Sequence, residues 1–470
     1  MKKYEFSVIV PIYNGSSYLD ETLQSIFNQT IGFKDNIELI LVNDGSSEEE
    51  VDTICKKYES NYKENVIYIK KENGGVSSAK NEGLKHVHGK YINFFDADDK
   101  WEADAFEKVK KAFDKNEVSI VCCRQKFFDA KEGYQTLDYR FDKGNHISNI
   151  FEEPKNILLS VTNTFFKREA IENHQFNEKL KYGYDARFVI EVVLETENIM
   201  FLKDAVNEFR RRSDYTSATQ NKKSRKTTYI ETIEDYYKYV VKLSKQKYKK
   251  VIPFIQYTIL NGVKHRICES IPNVLNKEEL KKYKEDLLYL LDNIEEKTIL
   301  NVEKTTAQMK AYLLYVKDNY SYEKLTVRNN GIFYKGQLIS KFSNICKIEK
   351  VIMKRKKFYV SGYINKLHFL RNYEIKLEYN NELYDIEIDD VLEVRKTFND
   401  EEYLRKGTFE LIIDLEKNID DFDIVLVNNE EKYKILSKKL NRKSIIKRAL
   451  SKVKRVAKRI INKERYDIWK

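Results

Sequence analysis

The residues of this sequence best suited to chemistry are three aspartates, Asp96, Asp98 and Asp99, which directly follow an apolar run at 91–95. The run predicts a buried strand, and because acidic residues are poor strand formers, the aspartates should lie in the loop just beyond it. There, Asp96 and Asp98 offer hard oxygen ligands to one point, which suits a Mg²⁺ or Mn²⁺ ion that also holds a diphosphate. The simpler alternative is a polar turn in which Asp99 is a helix N-cap.

Three more predicted strands precede these aspartates, and each ends in a polar loop. Apolar, β-branched runs at 7–11, 37–42 and 66–70 predict strands, and capped helical patterns follow them, over 16–28, over 48–60 and from about residue 76. Strands that alternate with helices form a parallel sheet covered on both faces, and ligands bind beyond the carboxyl ends of its strands. Any one of these loops alone could be an ordinary turn. The polar residues at the four strand ends are Tyr13 with Asn14, Asp44, Asn73 to Gly75, and Asp96 with Asp98.

Four segments carry a resemblance to a known family. VPIYN at 10–14, VNDGS at 42–46, NGGVSSAKN at 73–81 and DADD at 96–99 occur in the order and spacing of the inverting family 2 glycosyltransferases. The resemblance covers about residues 5–220. It implies an α/β GT-A catalytic domain over residues 1–222, which is a nucleotide-diphospho-sugar transferase fold with a Rossmann-like sheet.

The same resemblance implies roles for individual residues. Pro11 and Tyr13 would line the base pocket, and Asp44 would hydrogen-bond the nucleobase, most often uracil. Asp96 would contact the ribose or the donor sugar, and Asp98 would bind the divalent metal, which stabilises the charge that develops on the leaving diphosphate. Asn73, Gly75 and Lys80 complete the nucleotide-sugar site. Lys80 stands where the family usually has Arg in S-x-A-R-N, so it keeps the charge but loses the forked geometry, and its role stays open.

Sugar transfer also needs a base that takes the proton of the acceptor hydroxyl, so a further carboxylate is expected downstream. Asp185 opens an apolar-periodic helix in GYDARF at 183–188. This segment resembles the family's G-E-D-x-x-F, which implies that Asp185 is the general base, although Tyr184 replaces the Glu. The simpler alternative is an acidic residue stabilised by the helix dipole. Asp104 and Glu178 are the other carboxylates to consider.

A basic segment, FRRRSDYTSAT at 209–219, follows a predicted strand. It resembles a stretch of family members that decorate or build wall teichoic acid and capsule, where it reaches the donor diphosphate or an anionic acceptor. Arg210 and Arg212 are the candidates, because a guanidinium can hold phosphate through two hydrogen bonds. The alternative is a solvated basic loop.

The second half of the chain carries no catalytic cluster. Residues 223–324 are predicted to be helical, with breaks at Pro253 and Pro272, and to brace the catalytic domain. From about residue 325 to 437 the pattern has period two with tight turns, which predicts an all-β, immunoglobulin-like sandwich. Acceptor binding, oligomer contact and spacing are all open roles for it.

The excess positive charge lies at the end of the sequence. Residues 438–470 contain 14 Lys/Arg and 2 Asp/Glu, so this segment carries +12 while the whole chain carries +11. Apolar residues repeat there at helical spacing, which predicts a basic amphipathic C-terminal helix on an anionic membrane surface. An ordinary surface helix would mix charges of both signs, and a nucleic-acid arm needs no continuous apolar stripe.

The remaining features predict a cytoplasmic protein at the inner face of the cell membrane. The first apolar run is too short for a signal peptide, and no run approaches the roughly 20 apolar residues of a membrane span. The five cysteines show neither zinc spacing nor a disulfide pattern, which fits a reducing cytosol.

The resemblance implies a metal-dependent, inverting hexosyl- or N-acetylhexosaminyltransferase. It would move a sugar from a nucleotide-sugar, most often a UDP-sugar, to a polysaccharide, teichoic-acid-type or lipid-linked polymer. No nucleic-acid partner is expected, and a homo-oligomer stays open. The alternative is a non-catalytic, membrane-tethered scaffold in a polysaccharide assembly complex, against which the intact D-x-D and Asp185 argue.

Overall fold

The structure is a computed structural model that describes residues 3–212, 225–271, 273–328, 331–354, 357–367, 370, 372–379, 381–386, 391–414, 421–428 and 431–439. It divides into two compact units. The first comprises Met1–Val263 with Pro272–Lys304, and the second comprises Lys264–Ile271 with Thr305–Lys470. The predicted tail helix falls almost entirely outside the described residues.

Strands and helices alternate along the first hundred residues, and the predicted ones are confirmed to within two residues. The helix N-cap at Asp99 is wrong, because the next helix begins only at Ala105. In chain order, the elements up to residue 304 are β1 (Phe6–Ile12), α1 (Ser16–Phe27), α2 (Phe33–Asn36), β2 (Ile37–Asp44), α3 (Glu49–Asn61), β3 (Val66–Lys71), α4 (Val76–Leu84), β4 (Tyr91–Phe94), β5 (Lys100–Trp101), α5 (Ala105–Lys115), β6 (Ile120–Asp129), β7 (His146–Asn149), β8 (Thr164–Lys167), α6 (Tyr184–Thr196), β9 (Asn198–Arg211), α7 (Tyr239–Tyr248), α8 (Pro253–Ile267), α9 (Lys277–Asp292) and α10 (Glu296–Asn301).

One sheet organises the first unit. Its strand order is β3-β2-β1-β4-β8-β6-β9-β5, and β7 pairs with β9. Strands β1 to β4 are mutually parallel, as predicted, so their carboxyl ends lie at one edge. The sheet becomes mixed beyond them, because β8 runs antiparallel to both β4 and β6. This is the curled mixed sheet of a GT-A type domain.

Buried aromatic residues fix the loop that carries the aspartates. Phe95 and Trp101, on either side of that loop, are buried and stack with their ring centres 5.7 Å apart. Trp101 also contacts Phe165 from β8, and Phe106 from α5 packs edge-on against both. Truncating such a core ring costs about 3–5 kcal/mol, so the loop's two ends are firmly held.

The helical region after β9 packs through the face that the sequence predicts. All six of its predicted apolar residues are buried: Tyr229, Ile233, Tyr236, Tyr237, Val240 and Val241. A π-helical segment, Thr232–Lys238, contains several of them. No helix in the described part of the chain is both long enough and apolar enough to cross a membrane.

The second unit is dominated by antiparallel sheets. Its elements are α11 (Ala307–Lys317), β10 (Leu325–Arg328), β11 (Gly331–Tyr334), β12 (Gln337–Lys341), β13 (Cys346–Lys354), β14 (Lys357–Leu367), β15 (Glu374–Tyr379), β16 (Glu382–Asp385), β17 (Val391–Lys396), β18 (Glu402–Asp414), β19 (Asp421–Val427) and β20 (Lys432–Lys439). One sheet has the order β10-β11-β12, and the others are β13-β14-β18-β17 and β16-β15-β19-β20. The predicted hairpin around Lys335 and Gly336 is confirmed, while the immunoglobulin-like arrangement stays a prediction.

Candidate active site

The loops after β1 and β2 are tied to each other. The backbone N–H of Asn14 donates to Ser46 Oγ at 2.9 Å, and Asn14 Oδ1 accepts from the Ser47 backbone N–H at 2.9 Å. Tyr13 is 59% exposed beside this link, just after Pro11 near the end of β1. The two residues predicted to line the base pocket therefore lie at the expected edge, with the Tyr13 ring accessible.

Asp44 is buried and holds the loop that follows β3. Its carboxylate accepts hydrogen bonds from the backbone N–H groups of Gly74 at 3.0 Å and Gly75 at 2.7 Å, and from Lys71 Nζ at 2.8 Å. A Cβ at Gly45, which has a φ of +73°, would lie 2.8 Å from the backbone nitrogen of Asn73, so only glycine fits this approach. Asp44 thus shapes the predicted nucleotide loop, and its contact with a nucleobase stays a prediction.

The three aspartates after β4 form a mutually repelling group in which Asp99 is buried and Asp96 and Asp98 are half-buried. Thr162 Oγ1 donates to Asp96 Oδ2 at 3.1 Å, and the Arg210 backbone N–H donates to Asp99 Oδ1 at 2.9 Å. Asp99 Oδ2 is buried and accepts no hydrogen bond from the described residues. Burial raises the pKa of all three carboxyl groups, and the charges of Asp96 and Asp98 raise the pKa of Asp99 further. A cation placed here would relieve that repulsion.

Asp98 is paired with Arg212 at the end of β9. Arg212 donates to Asp98 Oδ2 from Nε at 2.9 Å and from Nη2 at 2.5 Å, and the side chains are 23% and 22% exposed. Within the described ranges, no group of three or more His, Cys, Asp or Glu side chains could hold a metal ion by itself. Mg²⁺, however, keeps several waters and binds through one or two carboxylates plus substrate phosphates. Asp98 and its acidic neighbours therefore fit an ion that is completed by a diphosphate.

Arg210 braces the aspartate loop from outside. Its Nε donates to the main-chain carbonyl of Asp98 at 2.9 Å, and its guanidinium pairs with Glu21 and with Asp129. The guanidinium also lies over the rings of Tyr18 and Phe128, at 4.7 and 4.4 Å from their centres. The structure thus engages Arg210 with protein groups on several sides, and its predicted contact with the donor diphosphate stays a prediction.

The predicted base, Asp185, lies in the first turn of α6 and is paired with Lys80 from α4. Lys80 Nζ donates to Asp185 Oδ1 at 2.8 Å, and the lysine side chain is 0% exposed while that of Asp185 is 24% exposed. Burial raises the pKa of Asp96; the charge of Lys80 opposes this shift, and the charge of Asp185 adds to it. The base candidate and the D-x-D motif therefore belong to one electrostatic site.

Gly183 places the start of α6 against the helical region. It is the N-cap of α6 with a φ of +88°, and an added Cβ would lie 2.9 Å from the Tyr236 ring. Thr232 Oγ1 donates to the Tyr182 carbonyl at 3.3 Å close by. Of the other two carboxylates considered as bases, Asp104 pairs with Lys108, and Glu178 accepts a hydrogen bond from Asn81, the residue after Lys80.

Three residues of this site were missed by the sequence reasoning, and a fourth, Asp99, was named there with no role beyond that of a possible helix N-cap. Asn81 was part of a motif but received no role, yet it exchanges two hydrogen bonds with the backbone of Phe176. Thr162, Glu21 and Asp99 contact the D-x-D loop or its bracing arginine. For Asn81 the signal was available in S-x-A-K-N, whereas the partners of the other three depend on contacts between distant segments.

Comparison with known proteins identifies the family to which this sequence is similar. The family model Glycosyl transferase family 2 matches residues 7–175. The chain is 35% identical over 350 residues to the minor teichoic acid biosynthesis protein GgaB of Bacillus subtilis (strain 168), covering 73% of this chain and 39% of GgaB. It is 31% identical over 298 residues to GgaA of the same organism, covering 62% of this chain and 67% of GgaA. The chain thus spans about two fifths of the length of GgaB.

Solved structures share the fold. S. aureus TarS aligns with a TM-score of 0.51 and 16% sequence identity, over 92% of this chain and 77% of that one. TarS 1–349 in complex with UDP-GlcNAc aligns with a TM-score of 0.52 and 19% identity, over 70% of this chain and 96% of that one.

Proposed function

The chain belongs to glycosyl transferase family 2, and on that premise we propose that it moves a sugar from a UDP-sugar to a cell-surface polymer, with inversion at the anomeric carbon. One observation carries the proposal. Two carboxylates, Asp98 and Asp185, are each paired with a cation, and both interact electrostatically with Asp96.

The donor side is built from the loops after β1 to β4. Pro11 and Tyr13 offer a surface for the base, and Asp44 keeps Asn73 to Gly75 in place beside it. Asp96 is positioned by Thr162 to contact the ribose or the sugar. This supports a nucleotide-sugar donor, and the complex of TarS 1–349 with UDP-GlcNAc favours a UDP-linked N-acetylhexosamine among the candidates.

A divalent cation, Mn²⁺ or Mg²⁺, fits this site when it arrives with the donor. Asp98 would hold it, in exchange for part of the Arg212 contact, and Arg212 could then turn to the diphosphate. Bound there, the ion would stabilise the negative charge that develops on the leaving diphosphate. Arg210 keeps the loop in place through the Asp98 carbonyl and through the Asp99 carboxylate.

Asp185 serves the acceptor. It accepts the proton of the acceptor hydroxyl as that oxygen attacks the anomeric carbon and the bond to the diphosphate breaks. Attack from the side opposite the leaving group gives inversion. We assign this chemistry to residues 1–222. Residues 223–324 would brace this catalytic domain, and the β-rich part at 325–437 would have an accessory role.

The acceptor we propose is a teichoic-acid-type or other anionic cell-surface polymer. The names of GgaB and GgaA, minor teichoic acid biosynthesis proteins, support this class. We place the enzyme at the cytoplasmic face of the membrane, held through the basic segment 438–470. Polybasic segments gain about 1 kcal/mol per Lys or Arg close to an anionic surface, so several such residues suffice.

Metal-dependent release of UDP tests the enzymatic function. Purified protein is incubated with a panel of UDP- and other nucleotide-sugars, with Mn²⁺, with Mg²⁺ and with EDTA. We expect release of UDP from one UDP-sugar only when metal is present. Release from no donor would instead fit the non-catalytic scaffold.

Co-sedimentation with liposomes tests the membrane role separately. Full-length protein and a chain ending at residue 437 are spun with anionic vesicles at low and high salt. We expect the full-length chain to pellet more at low salt, because screening weakens exposed charge contacts. Equal pelleting of both chains would remove the membrane role and leave the transferase function untouched.

A further inference from the structure

We propose that Lys80 is a positioning residue for the general base, Asp185. It binds one carboxylate oxygen of Asp185 and leaves the other oxygen directed to the acceptor. The inference rests on the proposed function of Asp185. It assigns Lys80 to the acceptor side, whereas the sequence motif groups it with the nucleotide-sugar site.

The burial of Lys80 is the first reason. A buried ammonium loses its hydration, so it persists only when it is paired and hydrogen-bonded. Lys80 is 0% exposed, and among the described residues Asp185 Oδ1 is the one acceptor that takes a hydrogen bond from its Nζ. The second oxygen of Asp185 accepts no hydrogen bond from that part of the chain. It is the oxygen left for an acceptor hydroxyl.

Aromatic rings keep the ammonium where it is. Lys80 Nζ lies 5.3 Å from the centre of the Phe176 ring and 5.2 Å from the centre of the Tyr184 ring. The Phe176 ring is itself stacked on Phe188 of α6, with centres 4.2 Å apart and planes at 5°. Cation–π attraction within about 6 Å is favourable, and more so when the cation is desolvated. The lysine is therefore confined between fixed rings and its carboxylate partner.

Helix α4 connects this cradle to the sheet. Asn81, the residue after Lys80, accepts from the Phe176 N–H at 2.8 Å and donates to the Phe176 carbonyl at 2.9 Å. A Cβ added at Gly83 would lie 2.4 Å from the Ile9 side chain, so α4 packs directly against β1. Lys80 and Asn81 are consecutive residues of α4. Asn81 thus fixes the loop before α6, and Lys80 fixes the carboxylate of Asp185 in the first turn of α6.

This arrangement gives Lys80 a task that differs from donor binding. A carboxylate on a helix terminus can rotate, and a base must meet the hydroxyl within hydrogen-bond reach. A misplacement of about 1 Å can cost about 10²-fold in rate. Lys80 removes that freedom, so its loss should lower kcat and leave the KM for the donor nearly unchanged.

A double-mutant cycle tests the inference. Lys80→Met, Asp185→Asn and the double variant are assayed for kcat and donor KM in the full chain. We expect Lys80→Met to lower kcat by about 10- to 100-fold with donor KM within about threefold. We expect the same substitution to cost less than about twofold in the Asp185→Asn background, because its effect runs through Asp185. Lys80→Arg, which keeps the charge, should recover part of the rate.

The control is Lys264→Met. Lys264 is also buried, and it donates to Thr305 Oγ1 at 3.0 Å. Because it lies in the other unit, its removal measures the effect of losing a buried ammonium that has no part in the proposed site. We expect its kcat to stay within about twofold of wild type. If Lys80→Met does not fold, the cycle is run with Lys80→Arg, and a loss of kcat that vanishes with Asp185→Asn supports the inference.

Two outcomes would overturn it. A raised donor KM with unchanged kcat would make Lys80 a donor-binding residue, and losses that multiply in the double variant would make its effect independent of Asp185. Unimpaired Asp185→Asn would instead remove the base assignment on which the inference rests.

Discussion

Two cation–carboxylate pairs belong to the proposed site, one to its proposed donor end and one to its proposed acceptor end, and they are built differently. At the donor end, Arg212 and Asp98 are both about one quarter exposed, and Arg212 immediately follows the last residue of β9. At the acceptor end, Lys80 is fully buried in α4, and only Asp185 is partly exposed. The donor-side cation can be exchanged for an incoming ligand, whereas the acceptor-side cation is part of the folded core.

This difference follows from the cost of separating each pair. Solvent reaches both members of the Arg212–Asp98 pair, so neither charge is fully desolvated when the pair separates, and a metal ion and a diphosphate can compete for Asp98. Removing the carboxylate partner of Lys80 would cost about 3–5 kcal/mol, because the ammonium would stay buried and unpaired. We infer that the enzyme remodels its donor end in each cycle and keeps its base in place throughout.

The largest effect is expected at the donor end. Asp98→Asn should reduce the rate of transfer by about 10³-fold or more. The substitution removes several kcal/mol of charge stabilisation from the transition state, and each 1.4 kcal/mol lowers the rate about tenfold. The measurement is the initial rate of UDP release at a saturating concentration of Mn²⁺. The matched control is Asp104→Asn, since Asp104 pairs with Lys108 outside the site. A fully active Asp98→Asn enzyme would remove Asp98 from the chemistry.

At the acceptor end, Asp185→Asn should lower kcat by about 10²- to 10⁴-fold, the usual range for a lost general base. The amide has nearly the same shape but cannot take the proton, so donor KM should hardly change. Steady-state kinetics in donor and acceptor separate the two constants. If Glu178→Gln and not Asp185→Asn gave this loss, Glu178 would be the base.

Stability distinguishes the two pairs directly. Arg212→Gln should lower the free energy of unfolding by about 1 kcal/mol or less, because solvent reaches Asp98, whereas Asp185→Asn should lower it by about 3–5 kcal/mol, because it leaves Lys80 buried and unpaired. Chemical denaturation of each variant, followed by a signal from the first unit, gives both changes in the free energy of unfolding. Equal costs would contradict the view that only one of the two cations is exchangeable.

The smallest effect concerns pH and the outer face of α6. Hydrogen bonding to Glu191 raises the pKa of His174 above its ordinary 6.5, with Glu195 adding to the effect. A raised folded-state pKa gives stability that is complete below about pH 6.5 and is lost as the pH rises through the folded-state value. Wild type should therefore become less stable as the pH rises from 6 to 8, and His174→Gln should not show this loss. Parallel slopes for both proteins would contradict this.

The sequence was informative where function depends on short segments. β1 to β4 and their polar ends follow from local apolar runs and turns, and these put Tyr13, Asp44 and Asp98 at one edge. The apolar face of the helical region followed from its periodicity in the same way.

The pairing of the site could not be read from the sequence. Lys80 and Asp185 are 105 positions apart, and their contact depends on how α4 and α6 meet through Phe176. Arg210 and Arg212 look equivalent in the sequence, and both guanidinium groups lie 4.7 Å from the centre of the Tyr18 ring, yet their hydrogen-bond partners differ. Arg210 donates to the Asp98 main-chain carbonyl and pairs with Glu21, whereas Arg212 contacts the Asp98 carboxylate.

Calorimetric titration of UDP into wild type, Asp98→Asn and Asp185→Asn, each with and without Mn²⁺, tests the central division of labour most directly. The account predicts Mn²⁺-dependent UDP binding in wild type and in Asp185→Asn, with Kd values within about threefold of each other, because Asp185 serves only the acceptor. It predicts that Asp98→Asn loses the dependence on Mn²⁺. Loss of UDP binding in Asp185→Asn, or unchanged Mn²⁺-dependent binding in Asp98→Asn, would contradict it.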